Sequence, residues 1–263
     1  MSPVPELSII IPAHNEAARL EPTVRDAARH GAETGRRLEI IVVDDGSDDG
    51  TSAVAGRLAD ELGGVRLIRL AENQGKGYAV RSGVVNARGR LVLFADADGA
   101  TPIGELARLE AAIAAGADVA IGSRALPGGG TTVRARWYRR LIGRSFHLLV
   151  ETVAVRGYHD TQCGFKLFRG PVAQDLFSRM RMRGFSFDVE VLVMAQRLGY
   201  RVAEVPVNWT HQPGSRVNLA TDSLRMARDL FLIRSHCLRG DYNRPHLSPF
   251  DPETEPAALA PRP

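Results

Sequence analysis

Apolar and polar positions along this chain alternate between two periods. Residues 7–13 (LSIIIPA) form a short apolar, β-branched run closed by Pro12, and residues 38–44, 65–70, 90–95 and 118–122 form further runs of this kind. Between them, residues 16–32, 49–62, 75–87 and 103–115 carry apolar side chains at helical spacing. This alternation predicts an α/β fold with a mostly parallel central sheet and helices on both faces. The pattern changes after Leu126. Residues 127–132 read as a glycine-rich linker or loop, 134–153 as a basic amphipathic helix, 184–198 as a helix, 201–209 as a strand and 221–236 as a long helix. From Asp241 onward the chain is rich in proline and polar residues, and a disordered tail is expected over 241–263.

The 263 residues, 44% of them hydrophobic, suffice for one large α/β domain with a substantial core. No run of about 18 apolar residues occurs, so no membrane-spanning helix is expected. No apolar signal segment follows the first residues either. The two cysteines, Cys163 and Cys237, have neither metal-ligand spacing nor a disulfide framework, which suits a reducing cytosol. The formal charge of +4 is a modest bias, compatible with phosphate-bearing partners. Zinc-finger spacing and aromatic RNP patterns are missing, which argues against nucleic acid. Lys76 and Lys166 are the only lysines, and each sits in a glycine-containing motif.

The predicted strand ends read P-A-H-N-E, D-D-G-S-D-D-G-T, E-N-Q-G-K-G, D-A-D-G-A-T and G-S-R. In such sheets ligands bind beyond the carboxyl ends of the strands. Asp96 and Asp98 lie one residue apart after an apolar strand, so they point the same way. Their hard oxygens suit Mg²⁺ or Mn²⁺, although a lone D-x-D is also an ordinary polar turn. Asp44 reads as a ligand contact, with Ser47 or Asp49 as helix N-caps. His14 reads as a structural histidine, and Glu16 as a favourable charge at a helix start. Asn73–Gly77 places Lys76 between two glycines ahead of a helix, an arrangement that suits a phosphate. It lacks Walker A spacing, and no G-x-G-x-x-G follows the first strand, which argues against a nicotinamide enzyme.

Asp188 and Glu190, in F-D-V-E, are candidate general bases or plain helix-start acids. Arg124, in G-S-R, follows a predicted strand and is a candidate grip for a phosphate. Arg136, Arg140 and Arg144 recur every four residues, with Tyr138, Ile142, Phe146 and Leu149 roughly opposite. That suits a helix on an anionic membrane surface, or equally one packed on the core with a solvated basic face. Asp160 and Lys166 bracket D-T-Q-C-G-F-K and either shape the site or form a structural ion pair. Cys163 reads as a packing residue. Ser215 and Arg216 sit in a Pro-Gly loop able to close over a diphosphate.

Taken together, S-I-I-I-P-A-H-N-E, V-V-D-D-G-S-D-D-G-T, N-Q-G-K-G-Y-A-V, F-A-D-A-D-G-A-T, D-T-Q-C-G-F-K-L-F, G-F-S-F-D-V-E and W-T-H-Q-P-G-S-R-V-N resemble family 2 glycosyltransferases of the GT-A fold. Within them the chain is most similar to the polyprenyl-phosphate sugar transferases of the glucosyl branch, from about residue 7 to 234. The resemblance implies an inverting, metal-dependent transfer of glucose from UDP-glucose to a polyprenyl or dolichyl phosphate. The cofactor would be Mg²⁺ or Mn²⁺, and the enzyme would be cytoplasmic, peripheral on the inner membrane face. It implies that Pro12, His14, Glu16, Val42 and Asp44 frame the nucleotide. Lys76, Asp96, Ala97, Asp98, Ser215 and Arg216 would contact the nucleoside, its phosphates or the sugar, and Asp98 would hold the metal. Arg124, Arg140 and Arg144 would meet the acceptor phosphate. The expected layout is one domain over 1–240, with a donor-binding half (1–125) and an acceptor-binding half (126–240). Two other functions fit these residues: transfer to a glycan or soluble hydroxyl, with Asp188 or Glu190 as base, and a non-catalytic nucleotide-sugar or membrane scaffold. A nucleotidyltransferase would use a similar sheet and metal.

Overall fold

The computed structural model describes residues 4–126, 132–134, 155, 157–212 and 219–243. In chain order the elements are β1 (Leu7–Ala13), α1 (Leu20–Thr34), β2 (Leu38–Asp44), α2 (Thr51–Glu61), β3 (Val65–Arg69), α3 (Lys76–Val85), β4 (Leu91–Ala95), a 3-10 turn (Ile103–Glu105), α4 (Leu106–Ala114) and β5 (Val119–Ser123). There follow β6 (Val133–Arg134), β7 (Phe165–Arg169), α5 (Gly170–Arg179), α6 (Phe187–Arg197), β8 (Val202–Pro206), β9 (Trp209–Thr210), α7 (Leu219–Arg239) and a 3-10 turn (Asp241–Asn243).

Seven strands form one sheet in the order β3-β2-β1-β4-β7-β5-β8. Every pairing is parallel except those of β7, which runs antiparallel to both β4 and β5. β1 and β2 are continuous apolar runs because helices cover both of their faces. Leu20, Val24 and Ala27 of α1 pack with Leu58 of α2 and Leu109 of α4 on one face. Val84 of α3, Leu176 of α5 and Leu192 of α6 pack on the other. The expected mostly parallel sheet with helices on both faces is what the chain forms.

Several boundaries differ from expectation for visible reasons. Helix α1 starts at Leu20 rather than at residue 16, because side chains beyond β2 hold the chain ahead of it in a turn. Ser47 Oγ accepts from the Asn15 amide at 2.9 Å and Thr51 Oγ1 from the Glu16 amide at 2.8 Å. β7 and α5 fall in a stretch whose pattern assigned no element. β7 alternates Phe165 and Leu167 toward one core and Phe168 toward the other. Lys166, 1% exposed, interrupts the apolar pattern that marks a buried strand. The ordered chain also passes residue 240, since Tyr242 is 2% exposed in the last turn. The predicted helix over 134–153, with Arg136, Arg140 and Arg144, lies outside the described residues, as do Ser215, Arg216 and the tail from residue 244.

Candidate active site

At the end of β4 the chain turns through Asp96, Ala97 and Asp98. The Asp96 amide donates to the Gly164 carbonyl at 3.0 Å, so the turn leading into antiparallel β7 fixes the first carboxylate. A Cβ on Gly164 would come within 1.9 Å of Asp96 Oδ2, which is why that position is glycine. Asp98 Oδ1 accepts from the Ala100 amide at 3.0 Å, and Thr23 Oγ1 donates to the Ala97 carbonyl at 2.8 Å. Both carboxylates open on a cavity of about 330 Å³ between α1 and the 3-10 turn at Ile103. Arg19, Thr23 and Gln212 also line it. None of these three was given a role from the sequence: no motif marks Arg19 or Thr23, and Gln212 lies within W-T-H-Q-P-G-S-R-V-N, where only Ser215 and Arg216 were singled out.

Lys76, at the start of α3, places Nζ 2.6 Å from Asp96 Oδ1. Burial pulls the Lys76 pKa down, but Asp96, Asp188 and Asp98 outweigh it and hold the ammonium above its ordinary value. Burial, and then the charge of Asp96, push the Asp98 carboxyl up, against the Ala100 amide, Arg19 and Lys76. Behind this pair lies a second one. Lys166 donates to Asp188 Oδ1 at 2.5 Å and to the Cys163 carbonyl at 2.7 Å. Both ammonium groups approach the ring of Phe94, at 5.3 Å for Lys76 and 5.8 Å for Lys166. Burial raises the Asp188 pKa, opposed by Lys166 and Lys76. Asp188 is 4% exposed and engaged by Lys166, which also donates to the Cys163 carbonyl, so the pair holds the Cys163–Gly164 turn.

Glu190 does not join this cluster. Two residues farther along a helix the side chain points about 200° away. Its carboxylate accepts from the amides of Arg181 and Met182 and from Tyr242 Oη at 2.8 Å. Burial pushes its pKa up to about 7, against those donors. Of the two readings of Glu190, a general base or a helix-start acid, this geometry favours neither a ligand contact nor a bare cap: the carboxylate ties the 181–182 segment to the last turn of the described chain.

The nucleotide-framing residues divide in the same way. Asp44, expected to contact the ligand, is 0% exposed; it accepts from the Ser47 amide and from Ser52 Oγ and so builds the loop into α2. Val42 packs in the core, Pro12 is buried in β1, and the Ala97 side chain is buried. None of these side chains lines the cavity beside Asp96 and Asp98. His14 Nδ1 lies 2.9 Å from the Asp45 carbonyl, and Glu16 pairs with Arg19. Asp45, given no role from the sequence, accepts from the amides of Gln74 at 2.7 Å and Gly75 at 2.9 Å. The Tyr78 amide donates to the Arg183 carbonyl. The glycines of N-Q-G-K-G are thus set by the protein's own packing, since a Cβ on Gly77 would meet the Met182 carbonyl oxygen at 2.6 Å. These backbone amides serve carboxylate and carbonyl partners within the chain, and the Lys76 ammonium is the motif's contribution to the cluster.

Arg124 stands at the end of β5. Its Nε and one terminal nitrogen donate to Asp160 at 2.7 and 2.8 Å, and its amide donates to the same carboxylate. Trp209 stacks beneath the guanidinium at 5.4 Å. The ion pair with Asp160 orients this arginine. Burial pushes the nearby Cys163 thiol up to about 12, so it is an inert packing group.

The residues present fit a divalent cation. Asp98 carries a carboxylate whose ionised form is disfavoured by burial and by a neighbouring carboxylate, a cost that a cation would relieve. Lys76 already neutralises Asp96. Among the described residues no group of three His, Cys, Asp or Glu side chains is placed to cage a metal. That suits Mg²⁺ or Mn²⁺ shared with phosphate oxygens, which takes only one or two protein carboxylates.

A mostly parallel sheet with an inserted antiparallel strand and a D-x-D at its carboxyl edge, whose first aspartate pairs with a lysine, defines a glycosyltransferase of the GT-A class. A family model described as glycosyl transferase family 2 matches residues 8–177, and the chain belongs to that family. It is 42% identical over 246 residues to the dolichyl-phosphate beta-glucosyltransferase of Drosophila melanogaster, covering 88% of this chain and 75% of that one. It is 40% identical over 253 residues to the same-named protein of Mus musculus, covering 91% and 78%. Among solved structures, glucosyl-3-phosphoglycerate synthase from Mycobacterium tuberculosis in complex with Mn²⁺ and UDP-glucose shares the fold. Its TM-score is 0.62 at 19% identity, covering 92% of this chain and 81% of that one.

Proposed function

We propose that this family 2 glycosyltransferase moves glucose from UDP-glucose to a polyprenyl phosphate of the dolichyl type, inverting the anomeric carbon. The observation that carries the reading is the identity of 42% over 88% of the chain to a dolichyl-phosphate beta-glucosyltransferase. The site chemistry supports it. A phosphate monoester is largely dianionic at neutral pH, its second pKa being about 6. It needs no base, which agrees with Asp188 being locked to Lys166 and Glu190 lying elsewhere. An acceptor oxygen attacks the anomeric carbon while the bond to the β-phosphate breaks and its electron pair leaves with the diphosphate.

Each residue then has one task. Asp98 would hold Mg²⁺ or Mn²⁺, and the cation when bound would supply charge neutralisation for the diphosphate leaving group. Lys76, positioned by Asp96, adds a second positive charge at the same edge. Arg124, oriented by Asp160, receives the acceptor phosphate, together with Arg140 and Arg144. Ser215 and Arg216 contact the donor diphosphate. In this reading residues 1–125 supply most of the donor contacts and 126–240 most of the acceptor contacts, with Arg124 and the loop at 215–216 crossing that division. No described helix is long and apolar enough to cross a membrane. The lipid acceptor supports a peripheral position on the cytoplasmic membrane face as part of this reading. The test offers UDP-glucose and Mn²⁺ with a short polyprenyl phosphate or with the matching polyprenol. The expected product is glucosyl phosphoryl polyprenol from the phosphate alone; transfer to the alcohol would sink the reading.

A further inference from the structure

Helix α7 is built with two faces. At about 100° per residue, Met226, Leu230 and Ile233 share its inner side. There they are 8%, 0% and 0% exposed. On the outer side Phe231 is 60% exposed and Leu238 79%. These two lie two turns apart and about 20° from each other down the axis, so they make one apolar stripe. A single exposed leucine is ordinary, but an aromatic and a leucine aligned on one helix face are not scattered surface residues. Exposed arginines border the stripe, Arg234 on one side and Arg228 and Arg239 on the other. The only acid within 225–239 is Asp229, which accepts from Ser186 Oγ at 2.8 Å. The outer face therefore combines apolar surface with positive charge alone.

We propose that this face of α7 docks the enzyme on an anionic lipid bilayer, lying in the plane of the headgroups. Phe231 and Leu238 would enter the boundary between headgroups and acyl chains, while the arginines beside them reach lipid phosphates. A second copy fits less well, because an isologous contact would set arginines against arginines. The inner side of the helix connects this surface to the site. Met226 Sδ lies 3.9 Å from Gln162 Nε2, in the turn whose Gly164 carbonyl holds Asp96. A bilayer on the outer face would thus lie beside the edge where an acceptor phosphate must arrive. This rests on the lipid-acceptor reading for its purpose, though the surface chemistry stands without it.

The experiment measures binding of the full chain to vesicles of phosphatidylcholine with or without phosphatidylglycerol, none containing polyprenyl phosphate. Light scattering reports the oligomeric state alongside. The wild-type protein should bind the anionic vesicles at least about tenfold more tightly than the neutral ones. Phe231→Ser with Leu238→Ser should lose at least about tenfold of that binding, with unchanged melting temperature and unchanged Mn²⁺-dependent UDP binding. Should that double variant not fold, Arg228→Gln with Arg239→Gln carries the test, with loss of the anionic preference expected. Equal wild-type binding to both vesicles, or variants that bind like the parent, would overturn the proposal. So would a double variant that turns a dimer into a monomer while still binding vesicles. Vesicle binding by a protein that transfers no glucose would instead count against the proposed activity and leave the docking surface standing.

Discussion

β2 and β4 lie on either side of β1 and end in carboxylates at the same edge of the sheet. After β2, Asp44 and Asp45 are 0% and 3% exposed, and their oxygens accept from Ser47, Ser52, Gln74 and Gly75. After β4, the Asp96 side chain is 34% exposed, and it shares a cavity with Asp98. Neutral donors of the chain satisfy the first pair. The second pair meets a lysine, and burial and mutual repulsion raise the Asp98 pKa. Two similar acid motifs thus have different surroundings: one is tied into a loop by the chain's own donors, and the other is, in the proposed reading, the one that takes positive charge from a ligand complex. The partners of each oxygen distinguish them, and the residue types do not.

Removing one member of each pair breaks this comparison most sharply. Asp98→Ala should lower Mn²⁺-dependent transfer by about a thousandfold, with the melting temperature within about 3 °C of the parent, measured by initial rates and thermal melts. Asp45→Ala should do the reverse. With the Gln74 and Gly75 amides left without their acceptor, urea unfolding should show a loss of about 3 kcal/mol. Its rate below the melting transition should stay within about tenfold of the parent, since Lys76 remains tied to Asp96. Gly164→Ala lies between the two. The added Cβ must displace the Asp96 carboxylate from its place beside Lys76, and the rate should fall by about a hundredfold with the fold retained; circular dichroism and kinetics together check it.

Glu190 extends the comparison to pH. Its folded pKa of about 7 lies above the ordinary 4.5, so the native state holds the extra proton between those values. Stability should therefore fall as pH rises through that window. Glu190→Gln should remove this slope, gaining on the parent by on the order of 2 kcal/mol between pH 5 and 8 in urea titrations.

Much of the fold was legible because β1 to β5 and their helices obey clean periods. The helix start at Leu20 was not, because the preceding turn is held by Ser47 and Thr51 from another part of the chain. β7 was hidden by Lys166, a charge inside a core strand whose partner Asp188 lies 22 residues away. The D-x-D, Lys76 and Arg124 were legible as candidates from their motifs. The division between Asp188 and Glu190 was not, since both are helix-start acids in sequence. The Lys166 ammonium beside one and the Arg181 and Met182 amides beside the other separate them.

The central claim is that Asp98 couples a divalent cation to the donor diphosphate. Calorimetric titration of UDP into the wild-type protein and into Asp98→Ala, each with and without Mn²⁺, addresses it directly. The wild-type protein should bind UDP at least about tenfold more tightly with Mn²⁺, and the variant should show no such gain. An equal Mn²⁺-dependent gain in the variant would contradict the assignment.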